Sequence, residues 1–212
     1  MEISTVSTAN TTQSEALSLL GGESVALQQL AKIAQHILQV NRDAELQIHG
    51  RDKAELGTRL QDGSWCVAEC LEHLTQTTRS FLPAIASAIA QAPKLSGNRP
   101  LKTGIVADLL IRTMKPPYRV RFNVLPQLAP QHLEAETAWT AFAQSQSELL
   151  ATVLSAASLA IDEVRIKSPV YARVNYNIYA AFRMLVAHQS RHIWQIKQIL
   201  KTLDSRPRSG AA

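Results

Sequence analysis

Two histidines stand four residues apart in the run His188-Gln-Ser-Arg-His192. On a helix turning about 100° per residue, with Leu185 at the centre of the apolar face, His192 falls about 20° away and His188 about 60° away. Arg183, Lys197 and Lys201 fall on the opposite side. The two imidazoles therefore belong to the apolar stripe, one above the other, with Cβ atoms ~5–6 Å apart. Burying two such rings without partners costs several kcal/mol. Either hydrogen bonds within a core or a bound cation must satisfy them. Neutral imidazole is a good ligand for zinc, nickel and iron. An HxxxH pair alone is common by chance and fits either answer.

A third histidine, His73, lies on the flank of another apolar stripe. Cys66, Cys70, Thr77, Ala84 and Ala88 share that flank, and their small size leaves room for a pocket. Alone, His73 reads as a satisfied or partly exposed histidine. Brought opposite the HxxxH pair, it completes three nitrogen ligands with positions left for water, the usual layout of a catalytic metal site. Ion binding at such a site is expected to weaken below pH ~6, where imidazole protonates.

Four long patterns of 3.6-residue period must position these rings. The first runs from about Glu23 to Arg42, with Leu27, Leu30, Ala34 and Leu38 inward and Gly21-Gly22 before it. The second runs from about Trp65 to Gln91, after the turn Asp62-Gly63-Ser64, with Val67, Leu71, Leu74, Phe81, Ile85 and Ile89 on one face. The third runs from about Gln131 to Ser155, with Trp139, Phe142, Leu149 and Val153 inward. The fourth runs from about Tyr176 to Leu203, with Ile178, Leu185, Ile196, Ile199 and Leu203 inward. A proline-rich link between the second and third leaves room for a short helix near Ile105–Met114, and the link from Ile161 to Asn175 for an extended piece around Val164–Ile166. Residues 1–13 read as a disordered tail, 14–203 as one domain and 204–212 as a flexible tail. The expected fold is all-α, a four-helix bundle whose longer links permit a topology other than simple up-and-down.

The segment Trp65-Cys-Val-Ala-Glu69-Cys-Leu-Glu-His73-Leu resembles the second-helix signature of the DinB-like superfamily, and His188-Gln-Ser-Arg191-His192-Ile-Trp-Gln195-Ile resembles its C-terminal signature. The likeness covers roughly residues 15–203, and the two motifs in this order are specific together. It implies an up-down-down-up bundle with a long crossover, and one divalent metal ion on His73, His188 and His192. It further implies a homodimer, and either thiol S-transferase activity with a low-molecular-weight thiol or metal-dependent hydrolysis. Members of the family often carry Ser at the position of Cys66. Ser there would cap the helix with Glu69 completing a capping box. A thiol is the poorer acceptor, so Ser64 is the alternative cap.

Other residues read plainly. Cys70 belongs to the core, and Cys66 is too far along the helix to share an ion with His73. Glu69 and Glu72 read as solvated, with a supporting role behind a ligand as the sharper alternative. Arg191 and Gln195 belong to the signature. Trp194 points away from the stripe, which calls for cover by the crossover or a dimer contact. His36, His49 and His132 have no partner pattern. Of 212 residues, 46% are hydrophobic and 18% charged, enough core to exclude disorder throughout. A net charge of +5, scattered apart from Arg112, Lys115, Arg119 and Arg121, favours solubility over nucleic-acid binding. Two cysteines form no disulfide framework, no leader pattern opens the chain and no apolar run spans a bilayer, so a cytoplasmic protein without a membrane segment is expected. Three neutral ligands leave a site positively charged, which suits a thiolate or hydroxide. An enzyme acting on a small molecule is therefore one reading, and a non-catalytic metal- or ligand-binding bundle the other.

Overall fold

The computed structural model describes residues 24–117, 124–171 and 173–205. The tail expected over 1–13, Gly21-Gly22, Arg119, Arg121 and the chain beyond 205 lie outside the described residues. The four periodic segments are helices: α1 Val25–Ile48, α3 Val67–Ile89, α5 Ala135–Ser155 and α6 Ile178–Asp204. A one-turn helix α2 (Lys53–Leu56) follows α1, and α4 (Ile105–Met114) lies in the crossover at the place the sequence suggested. The extended piece is strand β1 (Arg165–Lys167), paired antiparallel with β2 (Asn175–Asn177) so that Ile166 faces Tyr176.

The helix starts show how the ends are satisfied. At α6 the Asn177 carboxamide oxygen accepts from Ala180 N at 2.8 Å, an ordinary N-cap. At α1 the first N–H donates to Asn98 Oδ1 at 2.8 Å, so the crossover closes that end. At α3 the cap is Cys66, not Ser64, whose hydroxyl is spent on Asp62. The Glu69 carboxylate turns back to accept from Cys66 N at 2.9 Å, while the sulfur faces the Glu69 N–H as the weaker arm of the box. The helix start thus survives the exchange of hydroxyl for thiol because Glu69 carries the stronger half. At the other end of the chain α6 includes Asp204, which receives two 2.8 Å bonds from Arg51.

The core falls into two apolar clusters along the bundle axis. One joins the N-terminal halves of α1 and α6 (Leu30, Ile37, Phe182, Leu185) to the C-terminal halves of α3 and α5 (Phe81, Ile85, Leu149, Val153). The other joins Val40 and Ala44 of α1 and Ile193 to Leu200 of α6 to Val67, Leu71, Leu74 and Phe142. α1 and α6 therefore run one way and α3 and α5 the other, which is up-down-down-up. The successive long helices α3 and α5 are parallel, so the crossover, which carries α4, must return the full length of the bundle between them. α1 packs on α5 and α6, and α3 on the same two.

Candidate metal centre

His73 is carried by α3, and His188 and His192 by α6, at the level where the two apolar clusters part. Their Nε2 atoms converge: His188 lies 3.3 Å from His73 and 3.2 Å from His192. Ring centroids are 4.6–5.1 Å apart and the planes steeply inclined, so edges rather than faces meet. The partly buried indole of Trp65 closes one side, 4.9 Å from the His73 ring and 6.0 Å from that of His192. The three rings form a group whose ligand atoms all lie within 4.8 Å of one another, one that could hold a metal ion.

Hydrogen bonds on the far side of two of the rings fix what their near sides offer. His73 Nδ1 lies 2.8 Å from the Leu128 carbonyl. A carbonyl only accepts, so Nδ1 carries the proton and Nε2 presents a lone pair. His192 Nδ1 donates in the same way to Gln195 Oε1 at 2.9 Å. His188 Nδ1 is buried without a hydrogen-bond partner. If His188 is protonated on Nε2, its buried Nδ1 lone pair goes unmet. If it is protonated on Nδ1, three lone pairs converge with nothing between them. A cation accepts all three at once. Two nitrogens ~2.05 Å from a tetrahedral zinc stand about 3.3 Å apart, which matches the two separations from His188. The donor set therefore fits a divalent ion.

Burial holds the rings neutral. Desolvation pushes His188 down to about 3, with His73 and Arg191 adding repulsion to its charged form. Desolvation also lowers His192 far below the usual imidazole range, reinforced by the other two rings and opposed by the Gln195 bond. His73 is lowered less, because the Leu128 carbonyl partly compensates for burial. Proton competition for these nitrogens therefore begins below the pH ~6 expected from free imidazole, since the low-dielectric surroundings penalise imidazolium before any ion is present.

Around this centre the sequence reading needs correction in several places. Glu69 and Glu72 are not solvated; they are 1% and 3% exposed. Glu69 takes Arg59 at 2.5–2.9 Å, Cys66 N at 2.9 Å and His132 Nδ1 at 2.5 Å. Burial alone would raise its carboxyl, but Arg59 and the Cys66 N–H outweigh that and hold it below the usual range. His132, given no role from sequence, sits at φ 65° and reaches this carboxylate from the crossover. Such backbone is uncommon outside glycine. Glu72 accepts from the backbone N–H groups of Gln131 at 2.6 Å and Leu133 at 3.3 Å. The small-residue flank is packed rather than hollow: Cys66 and Cys70 are buried, unpaired thiols within the apolar cluster, and burial pushes both upward in pKa. A groove of about 540 Å³ lies instead on the outer side of Leu128, between α3 and the crossover. It does not include the imidazoles. Trp194 is half-buried and lines a smaller cleft with His36, Asp43, Lys197 and Pro116, so the end of the α4 segment supplies cover.

A helical bundle with one imidazole from its second long helix and an HxxxH pair from its last defines a class of three-histidine bundle proteins. A family profile described as the DinB superfamily matches residues 29–196, and the chain belongs to that superfamily. Searches of curated proteins and of solved structures returned no match.

Proposed function

We propose that the protein binds one divalent metal ion, zinc, nickel or iron, through His73, His188 and His192, and is a metal-dependent enzyme of the thiol S-transferase type. The observation that carries the reading is the convergence of three Nε2 atoms, those of His73 and His192 left unprotonated by their Nδ1 bonds and each at tetrahedral ligand separation from that of His188. A bound ion there supplies a Lewis acid that stabilises a thiolate or hydroxide at neutral pH. The chain's own contribution is to keep the three rings neutral, to orient His73 and His192 through Leu128 and Gln195, and to shield them with Trp65.

Metal analysis of protein purified without added metal tests the first half. About one ion per chain is expected in wild type, and most of it lost in each single His→Ala variant. Undiminished stoichiometry in His73→Ala would reduce the site to the HxxxH pair. Metal-dependent turnover in a panel of thiol-conjugation and hydrolysis reactions tests the second half. A non-catalytic metal-binding bundle is the competing reading, favoured by a groove that stops short of the imidazoles, and silence across the panel with full metal occupancy would select it. We also propose a homodimer in the cytoplasm acting on a small molecule. No described helix is long and apolar enough to cross a membrane. The exposed apolar face of α4, with Ile105 90% and Val106 81% exposed, supports self-association. Light scattering at high concentration should give twice the chain mass.

A further inference from the structure

The carboxylate next to His73 in sequence is not beside it by function alone. Glu72 projects from the side of α3 that meets the crossover, and both its oxygens are occupied by backbone N–H groups there: Oε1 by Gln131 at 2.6 Å and Oε2 by Leu133 at 3.3 Å. Gln76 Nε2 donates to Oε1 as well, at 3.0 Å, from one turn further along α3. The residue between, His132, is gripped by Glu69. Three consecutive crossover residues are thus pinned to two buried carboxylates of α3. Three residues upstream of Gln131 is Leu128, whose carbonyl accepts the Nδ1 proton of His73.

Consider what that connection does. The imidazole of His73 can present its Nε2 lone pair only while Nδ1 keeps its proton, and the Leu128 carbonyl is what keeps it there. Leu128 ends a short 3-10 turn, Pro126–Leu128, that rests on α3 and buries the Leu128 side chain. The chain that follows it is fastened to α3 at Gln131 and Leu133. Glu72 anchors the main chain itself, through two amide hydrogens, rather than a side chain that could swing.

We propose that Glu72 is a positioning residue for the three-imidazole site, acting through the crossover: it fixes Gln131 and Leu133, these fix Leu128, and Leu128 fixes the tautomer and direction of His73. The proposal rests on the reading of the three histidines as a metal centre. Groups that orient a ligand from behind typically change metal affinity about 10–100-fold when removed. Glu72→Gln keeps the volume but weakens the acceptor. Gln131→Pro removes the main-chain donor from the other side and leaves α3 untouched.

The test is zinc affinity by chelator competition on wild type, Glu72→Gln, Gln131→Pro and the double variant, together with ¹⁵N chemical shifts of His73 in the metal-free proteins. Both single variants are expected to bind zinc about 10–100-fold more weakly, the double no worse than the weaker single, and His73 to lose its preference for the Nδ1–H tautomer. A lower melting temperature with unchanged affinity and tautomer would overturn the proposal, leaving Glu72 as a fastening of the crossover only. Weaker binding in Glu72→Gln but not in Gln131→Pro would also overturn it, since the cause would then be the lost charge beside His73. Wild type that binds none of zinc, nickel and iron(II) would defeat the metal reading, and the tautomer measured without metal would still decide this one.

Discussion

The two ends of the bundle and the seam between them are held by different physics. Away from the site, Phe182, Leu30, Ile85 and Leu149 close a core with almost nothing polar in it. At the seam the inward positions are Thr77, Thr78, Gln146, Gln189 and the histidines. Several buried atoms there find no hydrogen-bond partner, among them Thr77 Oγ1, both polar atoms of Gln146 and Gln189 Oε1. Each costs the desolvation of a polar group without return. Stability is therefore concentrated in the apolar ends and given up at the seam, the pattern expected where a chain keeps polar groups for a purpose other than folding.

That contrast can be broken most forcefully at Phe182. Phe182→Ala should cost about 3–5 kcal/mol in denaturant unfolding, because a fully buried ring leaves a cavity, while metal content per folded chain stays as in wild type. Loss of metal there would mean that core and seam are not separable. The next effect is one of pH. In metal-free protein the three histidines have folded pKa values below the unfolded value of about 6.5. Their contribution is then complete above pH 6.5 and is lost as pH falls below it, toward about 3 for His188. The loss amounts to at most about 1.4 kcal/mol per pH unit for each imidazole. Unfolding free energies at pH 7 and pH 5 should differ accordingly, and His188→Ala should shrink the difference. A smaller effect of opposite sign is expected at Gln146→Leu: removing an amide with two unpartnered atoms should stabilise by about 1–2 kcal/mol. An unchanged or lower midpoint would show that Gln146 is satisfied after all. Smallest of all, Lys53→Ala, which breaks an exposed pair with Glu136, should leave the melting temperature where it was.

The sequence was most readable where one local rule decides the outcome. The 3.6-residue stripes located α1, α3, α5 and α6 to within a few residues, apart from the end of α1, which runs on to Ile48 because Val40 and Ala44 continue its buried face. The angular argument placed His188 and His192 together on α6, and His73 on the small-residue flank of α3. What stayed hidden were contacts between residues far apart in sequence. Glu69 and Glu72 look like solvated acids on a helix edge. Only the returning crossover, 59 and 61 residues on from Glu72, converts them into buried acceptors. His132 carries no periodic signal, and its left-handed backbone is not spelled by a glycine. The start of α3 stays open in the sequence for a different reason: a thiol is a weak cap, and only the structure shows Glu69 holding the turn by its own arm.

The placement of two of the three converging imidazoles on the last helix has a consequence for synthesis. His73 and His188 are 115 residues apart, and the chain emerges from the ribosome in order, at about 5–20 residues per second. For several seconds the nascent protein displays the α3 imidazole and both cysteines with no partner for any ion they meet. Only when α6 has emerged and turned back against α3 can three nitrogens close on one cation. On the proposed reading, any ion would be loaded only late in synthesis, and a chain stalled before His188 would lack two of the three nitrogens.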